Sequence, residues 1–315
     1  MQDPAMEEQD KPLEGISVVV PVFQTLSTLS ELVRRIQVTM KTDHEIILVD
    51  DGCPSHIWQE IESMASDTVR GIRLARNYGQ HAAVLAGVRE ARYSTVVTLD
   101  DDLQNPPEEI PKLLEALSTE VDVVYGRCST MKHSRIRRGL SHIGLRLISR
   151  LSHTNTPFQM TSFRAFRTDV RETFGDYTGP DTSFDALLSW SSANFAVVET
   201  EHSARIHGKS GYTFRKLLAV FMREMISYST LPLRLATLIG LFVSLLSSIS
   251  LAYVVISAFV YQDDIPGFAF IASSLSIFAG VQMLLLGMIG YYIGQTHTRV
   301  MRKPGYVVKR RTHQR

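Results

Sequence analysis

Ser94-Thr95-Val96-Val97-Thr98-Leu99-Asp100-Asp101-Asp102-Leu103-Gln104-Asn105-Pro106-Pro107 is a β-branched, apolar run that breaks into three carboxylates and then into prolines. β-Branched side chains suit a pleated strand, and proline at the start of a helix costs no hydrogen bond. The segment therefore reads as strand, acidic turn, helix. Upstream the same order recurs. Ile16 to Val22 is a continuous apolar run ending at Pro21-Val22-Phe23, followed by Leu29, Leu32, Val33, Ile36 and Met40 at helical spacing. Glu45–Val49, Ile57–Met64, Gly71–Leu74 and Gln80–Ala91 continue the alternation of strand and helix. Downstream, Pro107–Leu117 reads as a helix and Val121–Tyr125 as a strand; a basic helical stretch over Ser134–Leu151 and a strand over Thr161–Arg167 come after. Such alternation predicts an α/β domain, Rossmann-like, with a mostly parallel sheet covered on both faces. Ligands of these sheets bind beyond the carboxyl ends of the strands.

The C-terminal third is different. No charged residue occurs from Leu235 to Tyr261 or from Ile265 to Thr296. Each run exceeds the roughly 20 helical residues that cross a ~30 Å hydrocarbon core, whereas core helices of soluble domains rarely run so long without charge. The link between them carries Asp263 and Asp264; Arg234 precedes the first, and Arg299, Arg302, Lys303, Lys309, Arg310, Arg311 and Arg315 follow the second. The positive-inside rule then places the α/β domain and the tail on the cytoplasmic side of a bilayer, a multi-pass arrangement in the inner membrane. Leu217, Leu218, Val220, Phe221, Met225 and Ile226 against Arg215, Lys216 and Arg223 make the preceding segment an amphipathic interface helix.

Net charge is +1, with no basic and aromatic platform, so nucleic acid is not an expected partner. The two cysteines, Cys53 and Cys128, support neither a disulfide framework nor a metal site. Met1 to Ala5 reads as a cloning scar before a native Met6.

Three strand ends converge on one kind of ligand: Pro21-Val22-Phe23, Asp50-Asp51-Gly52 and Asp100-Asp101-Asp102. An ionised carboxylate is acceptor-only, so Asp50 or Asp51 suits the imide N–H of uracil or the N–H groups of guanine. Asp100 and Asp102 suit Mg²⁺ or Mn²⁺, which would leave positions for a pyrophosphate. A lone Asp-x-Asp is usually a solvated turn; here it ends an apolar strand and has an acidic companion at another strand tip.

Asn77-Tyr78-Gly79-Gln80-His81-Ala82-Ala83 and Leu99 to Glu108 resemble family 2 glycosyltransferases of the GT-A fold, within them the polyprenyl-phosphate glycosyltransferases. The wording is similar to bacterial undecaprenyl-phosphate aminoarabinose and glucose transferases, less so to dolichyl-phosphate mannose synthases. The resemblance implies an enzyme that takes a sugar from a nucleotide-sugar donor, a UDP-sugar, to a polyprenyl phosphate acceptor with inversion. It implies that Pro21, Val22, Phe23, Asp50, Asp51, Asn77, Gly79, Asp100 and Asp101 line the nucleotide site, and that Asp100 and Asp102, with Gln104, bind the metal. Where the family usually has a small residue between the two ligands, this chain has Asp101. Arg127, Arg137 and Ser141 match acceptor-phosphate positions, and Arg205 matches an arginine near the pyrophosphate. Ser162, Arg164, Lys209 and Ser210 fall on the acceptor or sugar side. His81 reads as structural or substrate-contacting rather than as a base.

The expected organisation is the scar and a disordered N-terminus over 1–12, a catalytic domain over 13–212, and a juxtamembrane helix over 213–231. Transmembrane helices over 232–262 and 265–298 and a basic tail over 299–315 follow. A homo-oligomer is left open. The competing readings are a GDP-mannose-dependent mannose synthase, a processive polysaccharide synthase, and a non-catalytic nucleotide-sugar sensor. The processive reading lacks both further spans and a Gln-x-x-Arg-Trp motif around Trp58 or Trp190.

Overall fold

The computed structural model describes residues 13–23, 26–54, 56–128, 161–175, 177, 183–192, 194–202, 231–260, 267–301 and 304–312. Within them the alternation foreseen from the sequence is present: β1 (Leu13–Val22), α1 (Leu26–Thr39), β2 (His44–Asp50), α2 (Ile57–Met64), β3 (Val69–Leu74), α3 (Gln80–Arg89) and β4 (Tyr93–Thr98). A 3₁₀ turn over Pro107–Glu109 leads into α4 (Ile110–Ala116), then β5 (Val123–Cys128), β6 (Arg164–Arg167), α5 (Thr168–Glu172), α6 (Phe184–Ser191) and β7 (Phe195–Thr200). Two long helices, α7 (Leu231–Val260) and α8 (Gly267–Val300), precede a last strand, β8 (Val308–Arg311).

The sheet order is β7-β5-β6-β4-β1-β2-β3-β8. β1 pairs in parallel with both β2 and β4, and β2 with β3, while β6 runs antiparallel between β4 and β5. Successive strand residues point to opposite faces, and each face is apolar. Val18, Val20, Val22, Ile46, Leu48 and Val97 pack with Leu29, Leu32 and Ile36 of α1, Ile57 and Ile61 of α2, and Ile110 and Leu113 of α4. Val19, Ile47, Val49, Ile72 and Val96 pack on the other side with Ala83, Val84 and Val88 of α3 and Phe184, Leu187 and Leu188 of α6. Gly87 lets α3 approach closely, since a Cβ there would stand 2.4 Å from Val19 Cγ1.

Residues 1–209 and 302–315 form one compact unit, and residues 210–301 form another. In the second unit α8 contains an 18-residue window, Ile277–Gly294, of mean hydropathy 1.7 with none of it buried. That helix is long and apolar enough to cross a membrane. The amphipathic segment 213–231 lies outside the described residues except for Leu231, which opens α7.

The basic segment read from sequence as a tail is instead part of the first unit. β8 adds antiparallel to the outer edge of β3. Ala75 N donates to Val307 O at 2.8 Å, Thr312 N to Gly71 O at 3.0 Å and Gly71 N to Thr312 Oγ1 at 2.9 Å. Tyr306 and Val308 pack against the α3 side of the core. Charge along an edge strand guards the sheet against further pairing, which is why Lys309, Arg310 and Arg311 look like a solvated tail in sequence. A domain ended at Tyr228 therefore lacks an edge strand. Those hydrogen bonds, at about 1 kcal/mol each, make it roughly 3 kcal/mol less stable than the same domain with 304–312 restored through a flexible linker. Urea unfolding measures the gap, and equal midpoints would show that β8 is dispensable.

Candidate functional site

Between β1 and β4 the chain reverses its direction of travel across the sheet: β2, β3 and β8 lie to one side of β1, and β4, β5, β6 and β7 to the other. Such a switch point opens a crevice beyond the carboxyl ends of the strands. A pocket of about 290 Å³ sits there, lined by Pro21, Val22, Phe23, Asp51, Asn77, Gly79, Gln80, Asp100, Asp101 and Asp102. Residues read from four separate stretches of sequence thus share one cavity.

On one wall, Asp51 Oδ1 accepts from Tyr78 N and Oδ2 from Gly79 N, both at 2.8 Å. The carboxylate fixes the turn into α3 and is only 3% exposed. Each oxygen keeps a second lone pair for a ligand N–H. Gly52 follows at φ +65°, and a Cβ there would lie 2.2 Å from the backbone carbon of Arg76, so only glycine lets the β2 and β3 loops meet. Asp50 does not reach the pocket. It is fully buried, its Oδ1 accepts from Cys53 N at 2.8 Å, and its Oδ2 lies 3.1 Å from Arg73 Nε in an ion pair without hydrogen-bond alignment. At the end of β2 the Asp51 side chain turns to the crevice while the side chain of Asp50, the last strand residue, points away from it. Asp50 is thus corrected from a nucleotide-site residue to one that pins the β2 loop. Burial is the largest influence on both carboxyls and pushes each above its ordinary value. The Cys53 amide and Arg73 oppose it at Asp50, and the Tyr78 and Gly79 amides oppose it at Asp51.

The acidic turn makes the other wall, and its three carboxylates are oriented differently. Asp101 Oδ2 accepts from Phe23 N at 3.1 Å, and its carbonyl accepts from Thr28 Oγ1 at 2.7 Å, which ties the turn to the end of β1 and the start of α1. Asp100 Oδ1 accepts from Gln80 Nε2 at 2.5 Å and its Oδ2 from Ser162 Oγ. Asp102 Oδ1 accepts from the backbone N–H of Gln104 at 3.1 Å, a local turn that carries Leu103 at φ 56° with its side chain 5% exposed in the core. Gln104 meets Asp102 through its backbone and is not among the residues lining the pocket.

The remaining sequence candidates divide. Ser162 joins the site through Asp100. Arg164 does not: it is 2% exposed on β6, ion-paired to Asp185, hydrogen-bonded to Thr98 Oγ1 at 3.1 Å and stacked 4.7 Å from the Phe184 ring centroid. Its sugar-side assignment is corrected to a buried tie between β6 and α6; nearby, burial raises the Tyr125 phenol, whose hydroxyl donates to Asp185 at 3.2 Å. Arg127, at the end of β5, pairs with Glu199 on β7, both well exposed. His81 Nδ1 accepts from Phe184 N at 3.2 Å, a structural bond. Arg137, Ser141, Arg205, Lys209 and Ser210 lie outside the described residues. Gln80 and Thr28 are site-shaping residues that sequence reasoning missed. Gln80 stands inside the stretch that carried the family resemblance, so the signal was present; Thr28 has no sequence signal of its own.

The doubly wound α/β sheet thus holds, in its switch-point crevice, a buried carboxylate opposite an acidic turn. The chain belongs to glycosyl transferase family 2, whose family model matches residues 17–175. It is 30% identical over 95% of its length to the undecaprenyl-phosphate 4-deoxy-4-formamido-L-arabinose transferase of Pseudomonas fluorescens strain SBW25, covering 90% of that protein. It is 31% identical over 95% of its length to the enzyme of the same name from Pseudomonas aeruginosa strain PAO1, covering 91% of that protein. Among solved structures, the glucosyl-3-phosphoglycerate synthase of Mycobacterium tuberculosis in complex with phosphoglyceric acid matches at a TM-score of 0.47 and 14% identity, over 62% of this chain and 73% of that one.

Proposed function

We propose that the protein is an inverting glycosyltransferase that moves a sugar from a UDP-sugar to a polyprenyl phosphate at the cytoplasmic face of a bilayer. The observation that carries this is the single crevice in which Phe23, Asp51 and Asn77 face Asp100 to Asp102, in a chain so similar end to end to transferases named for undecaprenyl phosphate. Phe23 and Asp51 hold the nucleoside, with the Asp51 oxygens aimed by two backbone amides. The acidic turn faces the diphosphate.

Two like-charged groups cannot meet without a cation, and the donor set fits Mg²⁺ or Mn²⁺: hard carboxylate oxygens of Asp100 and Asp102 in an open pocket. Among the described residues no three His, Cys, Asp or Glu side chains form a closed metal cage, and Mg²⁺ sites of this type use one or two carboxylates plus substrate phosphate and water. Bound there, the ion would offset the charge of the departing nucleoside diphosphate. The acceptor phosphate is already an anion at neutral pH, so no protein carboxylate has to deprotonate it. Its oxygen forms the new bond to the anomeric carbon as the bond to the diphosphate breaks on the opposite side, with one inversion.

Membrane topology follows the same logic. α8 supplies one span, and we assign α7 as the second. β8 is part of the same sheet as β1 to β7, so residues 308–311 must lie on the side of the bilayer that holds the rest of that sheet. An even number of crossings between residues 210 and 301 satisfies this.

Incubation of the full chain in polyprenyl-phosphate vesicles with a panel of UDP- and GDP-sugars, read by product mass, tests the reading. Transfer from GDP-mannose alone would move the protein to the mannose synthases; nucleotide binding without any product would leave it a sensor. Arg127 belongs to the acceptor side in this scheme, released from an exposed Glu199 pair that itself contributes under about 1 kcal/mol. Arg127→Ala is expected to raise the acceptor KM by one to two decades, the loss of about 1.5–3 kcal/mol of charge-assisted hydrogen bonding. A rise in donor KM alone would put Arg127 on the wrong substrate.

A further inference from the structure

Two side chains from outside the acidic turn hold the Asp100 carboxylate. Gln80 Nε2, on the first residue of α3, donates to Oδ1 at 2.5 Å, and Ser162 Oγ, from the segment leading into β6, donates to Oδ2. An ionised carboxylate accepts only, so Gln80 must present its amide nitrogen there and turn its oxygen away. With a donor on each oxygen the carboxylate plane is set.

Both holders are themselves fixed. Gly79, the residue before Gln80, gives its N–H to Asp51 Oδ2 at 2.8 Å and turns at φ 93°, a conformation suited to glycine. Ser162 is fixed through its carbonyl, which accepts from Thr98 Oγ1 on β4 at 2.6 Å. A continuous path thus runs from Asp51 at the end of β2, through Gly79 and Gln80, to Asp100 at the end of β4, and on to Ser162.

We propose that Gln80 and Ser162 are positioning residues that aim Asp100 at the divalent cation, and that Gln80 joins the nucleoside wall of the pocket to its cation wall. This rests on the donor-site reading given above. The partners of a metal-binding carboxylate matter because they remove its freedom to rotate before the ion arrives; losing one typically costs about 10–100-fold in metal affinity. Because Gln80 is anchored beside Asp51, a nucleoside that settles against Asp51 meets an Asp100 already in place.

Mn²⁺ binding by the full-length protein, followed by electron paramagnetic resonance with UDP present and acceptor absent, is the test. Gln80→Met keeps side-chain length and removes the donor; Ser162→Ala removes the other. Each should weaken Mn²⁺ by about tenfold or more, while uridine binding without metal and the melting temperature stay near wild type. In turnover, the Mn²⁺ concentration for half-maximal rate should rise by a similar factor, with kcat at saturating metal changed far less. Asp100→Ala serves as the reference and should abolish the tight Mn²⁺ signal. If Asp100→Ala loses Mn²⁺ but Gln80→Met and Ser162→Ala bind it within twofold of wild type, the positioning role is overturned and the donor site stands. Wild-type Mn²⁺ affinity in Asp100→Ala would overturn the donor-site reading and this proposal with it. Equal losses in metal-free uridine binding and in Mn²⁺ binding, with a lowered melting temperature, would make both residues merely structural.

Discussion

Asp102→Asn is expected to lower sugar transfer by about two to three decades, the loss typical of removing one electrostatic stabiliser from a site where charge develops. The choice of asparagine matters. Asp102 Oδ1 accepts from Gln104 N at 3.1 Å and so helps hold Leu103 in its left-handed conformation, at φ 56°. That conformation disfavours a side chain by roughly 1–2 kcal/mol and persists because the surroundings impose it. Alanine would remove the turn acceptor together with the charge, and lost activity could then be blamed on a collapsed turn. Asparagine keeps the acceptor and removes only the charge, so its fold should be intact and its melting temperature near wild type. Metal titration of the rate completes the test: the variant should need far more Mn²⁺ or show no response to it. Wild-type turnover with the metal requirement unchanged would remove Asp102 from the cation site.

The doubly wound sheet was legible because its strands are buried on both faces and its helices carry a clear apolar stripe; Ile57–Met64 has the same bounds in sequence and structure. Strand ends were also legible, since apolar runs such as Val96 to Leu99 break directly into carboxylates. Which side chain of an acidic pair faces the crevice was not, because Asp50 and Asp51 are chemically identical and only the strand's rotation separates them. The same holds for Asp101, whose carboxylate turns to Phe23 N across 78 residues of sequence. Arg164 illustrates a further limit. A lone arginine on a short strand gives no sign in sequence that Asp185, 21 residues on, will neutralise it in the interior. β8 was missed for a physical reason too: two valines followed by basic residues carry too little apolar area to announce a strand, and the edge of β3 supplies the rest through backbone hydrogen bonds.

Asp51→Asn should weaken UDP binding about 100-fold, or roughly 3 kcal/mol, by removing a charge-assisted acceptor and disturbing the loop that carries Asn77 to Gln80. Both Asp51 oxygens accept backbone N–H groups, from Tyr78 and Gly79. An amide can satisfy only one of them, and its NH₂ then faces the other donor. Stability should respond differently from binding, and the sign follows from burial. Desolvation raises the Asp51 carboxyl above its ordinary value in the folded protein, against the pull of those two amides. A raised carboxyl contributes stability that is fullest below the unfolded-state value and is lost as pH rises through the folded one. Wild type therefore loses this contribution on going from acidic to neutral pH and the Asn variant does not, so the stability gap between them should shift toward the variant as pH rises. Asp50 is raised in the same direction but is common to both proteins and cancels to first order. UDP binding should move the opposite way in wild type, falling as acid protonates Asp51, with the fall setting in above the ordinary carboxylate range. Calorimetric UDP titrations and urea unfolding of both proteins across that pH window provide the comparison. A variant that binds UDP within threefold of wild type would mean that Asp51 shapes the loop and leaves the nucleoside to other groups.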